Sequence, residues 1–285
     1  MITGPVEVVK VDNALGESIV WDSRCNSFWW TDTRQAVVLR LDWSTREVTR
    51  YPTGRPVYSL ALTKDPEWLL VAAAREIGLF RPLEGHHVFV AAPDMASGLR
   101  LNDGKVDPWG RFVVGELSTA ADGPPASVFR LEASGALTRL ASGLSAVNGL
   151  AFDVGTSTAY VSDSRLGSIW RTPYPRTAQV FQLESPFQTA GSLSRPDGAC
   201  VDSAGVLWSS QYGDGTLRAF GRDGSSLKAV SLATQHATCC AFGGPDLNWL
   251  AVTTASGGQQ ADAHLHLLKT DRCGHGPALW AGMGV

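Results

Sequence analysis

One pattern recurs along the chain and limits what it can fold into. A short apolar strand is followed by a turn containing Asp, Gly or Pro. A second strand then often ends in Ser/Thr-Asp, and a third, alternating strand carries Leu, Phe or Trp. Six such units begin at Glu17, Tyr58, Arg100, Val147, Pro196 and Ala237. A repeat of roughly 40–50 residues with about four strands per unit is that of a propeller blade. The predicted fold is therefore all-β, a six-bladed β-propeller spanning 1–285 as one domain. The segments VVLRLD, SVFRLE and LHLLKTD alternate with period two, and no window sustains a 3.6-residue apolar stripe. That argues against a doubly wound α/β fold. Ahead of the first unit, PVEVVKVDN reads as a strand that pairs with the last blade and removes the exposed sheet edges.

Composition excludes several classes of function. Hydrophobic residues make up 44% and charged residues 18%, a globular balance. The net charge is −3 and no Lys/Arg run forms a basic stripe, so nucleic acid is not an expected partner. No stretch approaches the roughly 18 apolar residues of a membrane span. The start MITGPVEVVKVDNALGES lacks the basic and apolar regions of a secretion signal. A cytoplasmic monomer without membrane contact is expected. None of the five cysteines (Cys25, Cys200, Cys239, Cys240, Cys273) sits in a C-x-x-C pair, and they read as buried, reduced thiols. His264 and His266 share one face of a strand, which reads as ordinary strand chemistry ahead of a metal pair. SGGQQADAH and the ADGPPA insert read as surface loops, the second able to lie over one face of the propeller.

In a propeller the innermost strand of each blade lines the axial channel. Polar residues at the starts of these strands converge there from distant parts of the sequence. Glu17, Arg100, Asn102, Asp103, Asn148 and Asp197 are such residues. Two carboxylates with an amide oxygen or two form a hard, oxygen-rich site suited to a divalent cation. Such an ion polarises a carbonyl and acidifies bound water. Taken singly, Asn102-Asp103-Gly104, Asn148-Gly149 and Pro196-Asp197-Gly198 are also ordinary turn sequences, and Glu17 reads as a solvated strand end.

The motifs L-G-E-S-I-V-W-D at 15–22, R-L-N-D-G-K-V-D-P-W-G-R-F at 100–112, N-G-L-A-F-D at 148–153 and R-P-D-G-A-C-V-D at 195–202 stand in their proper repeats. Over nearly its whole length the chain resembles the gluconolactonase/regucalcin (senescence marker protein) family of sugar lactone lactonases. The resemblance implies a six-bladed propeller with one divalent metal ion (Ca2+, Zn2+, Mn2+, Mg2+ or Fe2+) in the channel. The family's metal ligands match Glu17, Asn148 and Asp197, with Asp197 also its usual candidate for catalytic general base. Its substrate-binding residues match Arg100 and Asn102. The implied activity is hydrolysis of an aldono-1,4- or 1,5-lactone, with a small-molecule sugar lactone as the partner. The chain departs from the family in three places. Gly16-Glu17-Ser18-Ile19 stands where G-E-G-P is common, which implies a stiffer backbone beside the ligand. Gly115-Glu116-Leu117 stands where G-T-M is common, which makes Glu116 an added substrate-binding candidate. Ser118-Thr119-Ala120-Ala121 lacks a glutamate that some members place there, which bears on the identity of the sugar. Two other readings compete: a metal-dependent esterase or phosphotriesterase, and a non-catalytic, metal-binding regulatory propeller. Arg100 and Asn102 count against the second, since a metal alone needs neither.

Overall fold

The computed structural model describes residues 2–189, 195–257 and 263–282. Their strands form six four-stranded antiparallel sheets. The first strands of the sheets are Gly16–Asp22, Ser59–Leu62, Leu99–Val106, Val147–Asp153, Arg195–Val201 and Ala237–Gly243. They pack side by side in a complete circle, the last against the first. This is the six-bladed β-propeller that the repeats predict. The sixth sheet takes its outermost strand, Ile2–Val9, from the other end of the chain, pairing Val6 with Leu268 and Val9 with Leu265. The closing strand thus lies slightly ahead of PVEVVKVDN. Beyond it the chain bends inward, where the Asn13 side-chain oxygen accepts from Trp30 Nε1 at 3.3 Å.

Packing between blades holds the circle together. Trp21, Phe28, Trp30 and Leu39 of the first blade bury against Leu265 and Leu267 of the last. The Trp21 and Phe28 rings meet edge to face at 4.9 Å. Each such side chain contributes about 2–3 kcal/mol by leaving water. Close approach of neighbouring blades needs small residues: a Cβ on Gly115 would lie 2.1 Å from Val147 Cγ1.

Aspartates shape both ends of the blades. In the turns after the first strands, Asp107 Oδ1 accepts from Trp109 N and Arg111 N, and Asp202 Oδ1 from Ala204 N and Val206 N. A short carboxylate satisfying backbone amides two and four residues on fixes a tight turn.

One irregularity positions the site. In five blades the pairing of the first strand with the second skips one residue. The skips fall between Glu17 and Val20, Leu101 and Gly104, Asn148 and Ala151, Pro196 and Ala199, and Ala237 and Cys240. A bulge of this kind re-aims the side chains beside it. It falls next to every polar residue that the sequence places on the axis. The second blade, paired regularly from Ser59 to Leu62, carries none of them. In the first blade the bulge puts Ser18 in the left-handed region at φ 54°. Its hydroxyl offsets this by accepting from Leu60 N at 2.8 Å. Where the fourth blade makes the same excursion, the residue is Gly149 at φ 58°.

Of the two expected loops, the centre of SGGQQADAH lies outside the described residues. The ADGPPA insert stands at the end of the channel where the first strands begin. Among the described residues, no helix is long and apolar enough to cross a membrane. The cysteines are free but not uniformly buried: Cys239 and Cys240 are enclosed, Cys25 and Cys200 half-buried and Cys273 exposed. His264 Nδ1 lies 2.9 Å from the Val11 carbonyl. His266 is 2% exposed with no hydrogen bond to either ring nitrogen among the described residues.

Candidate active site

A cavity of about 600 Å³ opens at the end of the channel where the first strands begin. Glu17, Arg100, Asn102, Asn148 and Asp197 all line it. Five positions, the farthest apart 180 residues in sequence, are brought together because each precedes or occupies a bulge of its own blade.

The floor is acidic. Asp197 is 6% exposed, and its Oδ1 has no hydrogen-bond partner among the described residues. Burial, and then the charge of Asp103, push its carboxyl well above the usual range. Glu17 is also pushed well up, by burial and then by the charges of Asp197 and Asp103. Arg100 pulls both the other way. A buried carboxylate oxygen without a donor costs of the order of 1–3 kcal/mol or more.

The walls orient a chain of amides. Arg100 lies over the Tyr58 ring, 4.0 Å from its centroid, and donates to Asn102 Oδ1 at 2.7 Å. Asn102 Nδ2 donates to Asn148 Oδ1 at 2.9 Å, and Asn148 Nδ2 donates to Ser164 Oγ at 2.7 Å. Ser164 in turn donates to the Pro196 carbonyl at 2.7 Å. The relay holds the Asn148 side-chain oxygen toward the cavity with a second lone pair to offer.

Asp103, beside these residues in sequence, is buried under the floor. Its Oδ2 accepts from Leu150 N at 3.0 Å, and it lines the channel's other cavity. Glu116 departs from expectation. It is 1% exposed, accepts from Ser127 N at 2.7 Å and does not line the cavity; its neighbour Leu117 does. Side chains alternate across a strand, so the register that places Leu117 on the cavity sends Glu116 to the opposite face. Sequence reasoning missed Arg34, Arg165 and Arg195, which line the outer part of the cavity with Tyr212 and Ala121 of the insert. A signal for two of them exists: Thr31-Asp32-Thr33-Arg34 and Ser162-Asp163-Ser164-Arg165 occupy the same place in repeats one and four.

Among the described residues, no three His, Cys, Asp or Glu side chains form a metal cluster. The acidic floor is of another composition, two carboxylates and an amide oxygen. Its donors fit a hard divalent cation: excess buried negative charge, an orphaned carboxylate oxygen and an oriented amide oxygen all call for a positive partner.

Fold and cavity together define a six-bladed propeller with a cavity on its axis lined by carboxylates, amides and arginines. Residues 15–256 match the family described as SMP-30/Gluconolactonase/LRE-like region, and the chain belongs to that family. It is 32% identical over 261 residues to the 6-deoxy-6-sulfogluconolactonase of Pseudomonas putida, covering 90% of this chain and 88% of that protein. It is 31% identical over 255 residues to the L-arabinolactonase of Azospirillum brasilense, covering 88% and 84%. The crystal structure of the calcium-binding protein regucalcin from Agrobacterium tumefaciens superposes with a TM-score of 0.89. At 22% identity it covers 98% of this chain and 97% of that one.

Proposed function

We propose that the chain hydrolyses a sugar lactone, an aldono-1,4- or 1,5-lactone, to the aldonic acid in a metal-dependent reaction. The observation that carries the reading is the buried Asp197 carboxylate with its orphaned oxygen, beside Glu17 and the oriented Asn148 amide. Membership of a family that contains named sugar lactonases supports it. Glu17, Asn148 and Asp197 would hold one divalent ion, which when bound supplies Lewis-acid polarisation of the lactone carbonyl.

The remaining chemistry belongs to the chain's own groups. Asn102 Nδ2 spends both its N–H groups on Val147 O and Asn148 Oδ1. Arg100 therefore donates to a ring hydroxyl while the second lone pair of Asn102 Oδ1 accepts from another, and together they fix the lactone against the floor. Asp197 accepts a proton from the attacking water as its oxygen bonds to the carbonyl carbon. The ring C–O bond then breaks, and the same proton passes to the departing ring oxygen. Water is consumed and an open-chain hydroxy acid is released. Arg100 is fixed by Tyr58 and Asn102 before substrate arrives, so little ordering remains to be done on binding.

The test is lactone hydrolysis, followed by proton release, with metal-stripped protein and single divalent ions added back. Glucono-, galactono-, xylono- and arabinonolactone are assayed together, with metal binding measured in parallel by calorimetry. Metal-dependent turnover of at least one lactone is the expected result. Tight metal binding without turnover of any of them overturns the lactonase reading.

A further inference from the structure

Four guanidinium groups, those of Arg34, Arg100, Arg165 and Arg195, line the candidate active-site cavity. The carboxylates among its described lining residues are Glu17 and Asp197 alone. The chain as a whole is negative, at −3, so this concentration of positive charge is local. It is also layered. Asp197 at the floor is nearly closed off, whereas Arg34, Arg165 and Arg195 at the rim are exposed.

The rim arginines are placed by the same device in two blades. In Asp32-Thr33-Arg34 and Asp163-Ser164-Arg165, the aspartate caps the hairpin and spends its oxygens on backbone amides. Asp32 accepts from Ala14 N at 2.6 Å and Gln35 N at 3.1 Å. Asp163 accepts from Ser145 N at 2.6 Å, Arg165 N at 3.0 Å and Leu166 N at 3.2 Å. Neither carboxylate neutralises the arginine that it positions. Arg165 is held by carbonyls instead, donating to Ser118 O at 2.8 Å and Ala120 O at 2.9 Å, which fixes the guanidinium without cancelling its charge. Arg195 stands two residues before Asp197 at the start of the same strand. Among the described residues, none of the three rim arginines forms an ion pair; Arg24, Arg46, Arg111 and Arg222 elsewhere all do.

A neutral sugar needs hydrogen bonds but no net charge. Several unpaired guanidiniums around one opening repel each other and raise the local concentration of anions. Arginine is also the side chain whose donor geometry matches planar and tetrahedral oxyanions. We infer that the substrate is an anionic sugar lactone, whose carboxylate, sulfonate or phosphate lies at the end remote from the lactone carbonyl and is held by Arg165 and Arg195, with Arg34 at the rim. The inference rests on the lactonase reading for its floor, and on the arginines for its rim.

The experiment compares kcat/KM of the metal-loaded protein for glucono-1,5-lactone and for its 6-phospho and 6-sulfo counterparts, together with a lactone bearing a terminal carboxylate. The charged lactones identify which oxyanion is preferred. At least one is expected to exceed the neutral lactone by about tenfold or more, as a charge-assisted contact allows. The advantage should shrink as ionic strength rises. Arg195→Gln and Arg34→Gln should each cut the charged-to-neutral ratio roughly tenfold, with Arg195→Lys between wild type and Arg195→Gln. A ratio at or below one, unmoved by salt, overturns the inference and leaves lactone hydrolysis standing. Calorimetric binding of sorbitol 6-phosphate against sorbitol decides the same question without turnover. If no lactone is hydrolysed, preferential binding of the phosphate still supports the anion site, and equal or absent binding overturns it.

Discussion

The channel has a cavity at each end, and the same inner strands supply both. The starts of these strands, with the hairpins beside them, surround the candidate active site with Glu17, Asp197, two asparagines and four arginines. Their far ends surround a second cavity of about 450 Å³, walled mainly by apolar side chains such as Trp21, Leu60, Leu62, Phe152 and Phe242. Lys105 and Cys200 line this second cavity; Lys105 donates to the Ala199 carbonyl, and Cys200 approaches the buried Cys240 to 3.7 Å between their sulfurs. The chain from Gly274 to Ala281 crosses this end, with Gly274 N donating to Leu247 O at 2.8 Å and Trp280 N to Leu62 O at 2.9 Å. The bulges make the difference. Before a bulge the strand can turn polar groups to the axis. After it the strand resumes regular pairing and, Lys105 apart, presents mainly the small and apolar residues that neighbouring blades need. A propeller therefore keeps its chemistry at one mouth and its packing at the other.

That division can be broken by substitution. The largest effect is expected from Asp197→Ala at the acidic floor. Loss of a proposed ligand should exceed the 10–100-fold typical of residues behind the ligands, in metal affinity and in turnover together. Near wild-type turnover with metal bound in this variant would remove the floor from the mechanism. Ser164→Ala is next. It leaves every proposed ligand in place but frees Asn148 from its tie to the Pro196 carbonyl. A roughly 10–100-fold loss of metal affinity by calorimetry, with an unchanged melting transition, is expected of such a positioning residue.

At the other end Lys105→Met should reverse the pattern. Turnover stays within about threefold, while urea unfolding reports a loss of about 1–3 kcal/mol, because the Ala199 carbonyl loses its donor and buried Asp103 its neighbouring cation. Loss of turnover in this variant, at full stability, would show that the two ends act as one.

The smallest effect concerns His266, on a strand remote from both mouths. Burial holds its imidazole at a pKa of about 4, against an ordinary 6.5. A group with a depressed pKa stays neutral when folded but binds a proton when unfolded. Its contribution is therefore complete above about pH 6.5 and is lost as pH falls toward 4, by up to about 3 kcal/mol. Denaturation of His266→Leu across that window should show a shallower fall in stability than the wild type. Identical slopes would mean that the ring is already hydrated.

The architecture was legible because it repeats: six weak signals at one spacing reinforce each other, and PVEVVKVDN, having no unit of its own, points to closure. Glu17, Asn148 and Asp197 were legible only among six polar residues at the starts of inner strands; each alone is ordinary turn or strand-end chemistry, and it was the family resemblance that singled out the three. Glu116 was misplaced for a physical reason. Adjacent residues of a strand face opposite ways, and the bulge between Leu101 and Gly104 alters the register against which that alternation would be judged. The approach of Cys200 to Cys240 was invisible because it joins inner strands of different blades, whose relative height no local pattern encodes. Arg34 and Arg165 were hidden differently. An exposed arginine in a hairpin is unremarkable, and only superposing repeats one and four reveals the shared Asp-x-Arg.

Closure of the sixth sheet has a consequence for the order of assembly. As the chain is made, Ile2–Val9 emerges early, yet its partner Leu265–Thr270 emerges more than 250 residues later. Throughout that interval the segment lacks the strand with which it pairs in the finished sheet. Contacts so distant in sequence are slow to form, so each propeller passes through a stage in which five blades can be complete and the seam still open. The Pro5 within this segment, and Glu7, which ends up bound to Arg46, are the kinds of residue that blunt an unpaired strand against neighbouring chains. They guard the seam until the last blade arrives to be closed.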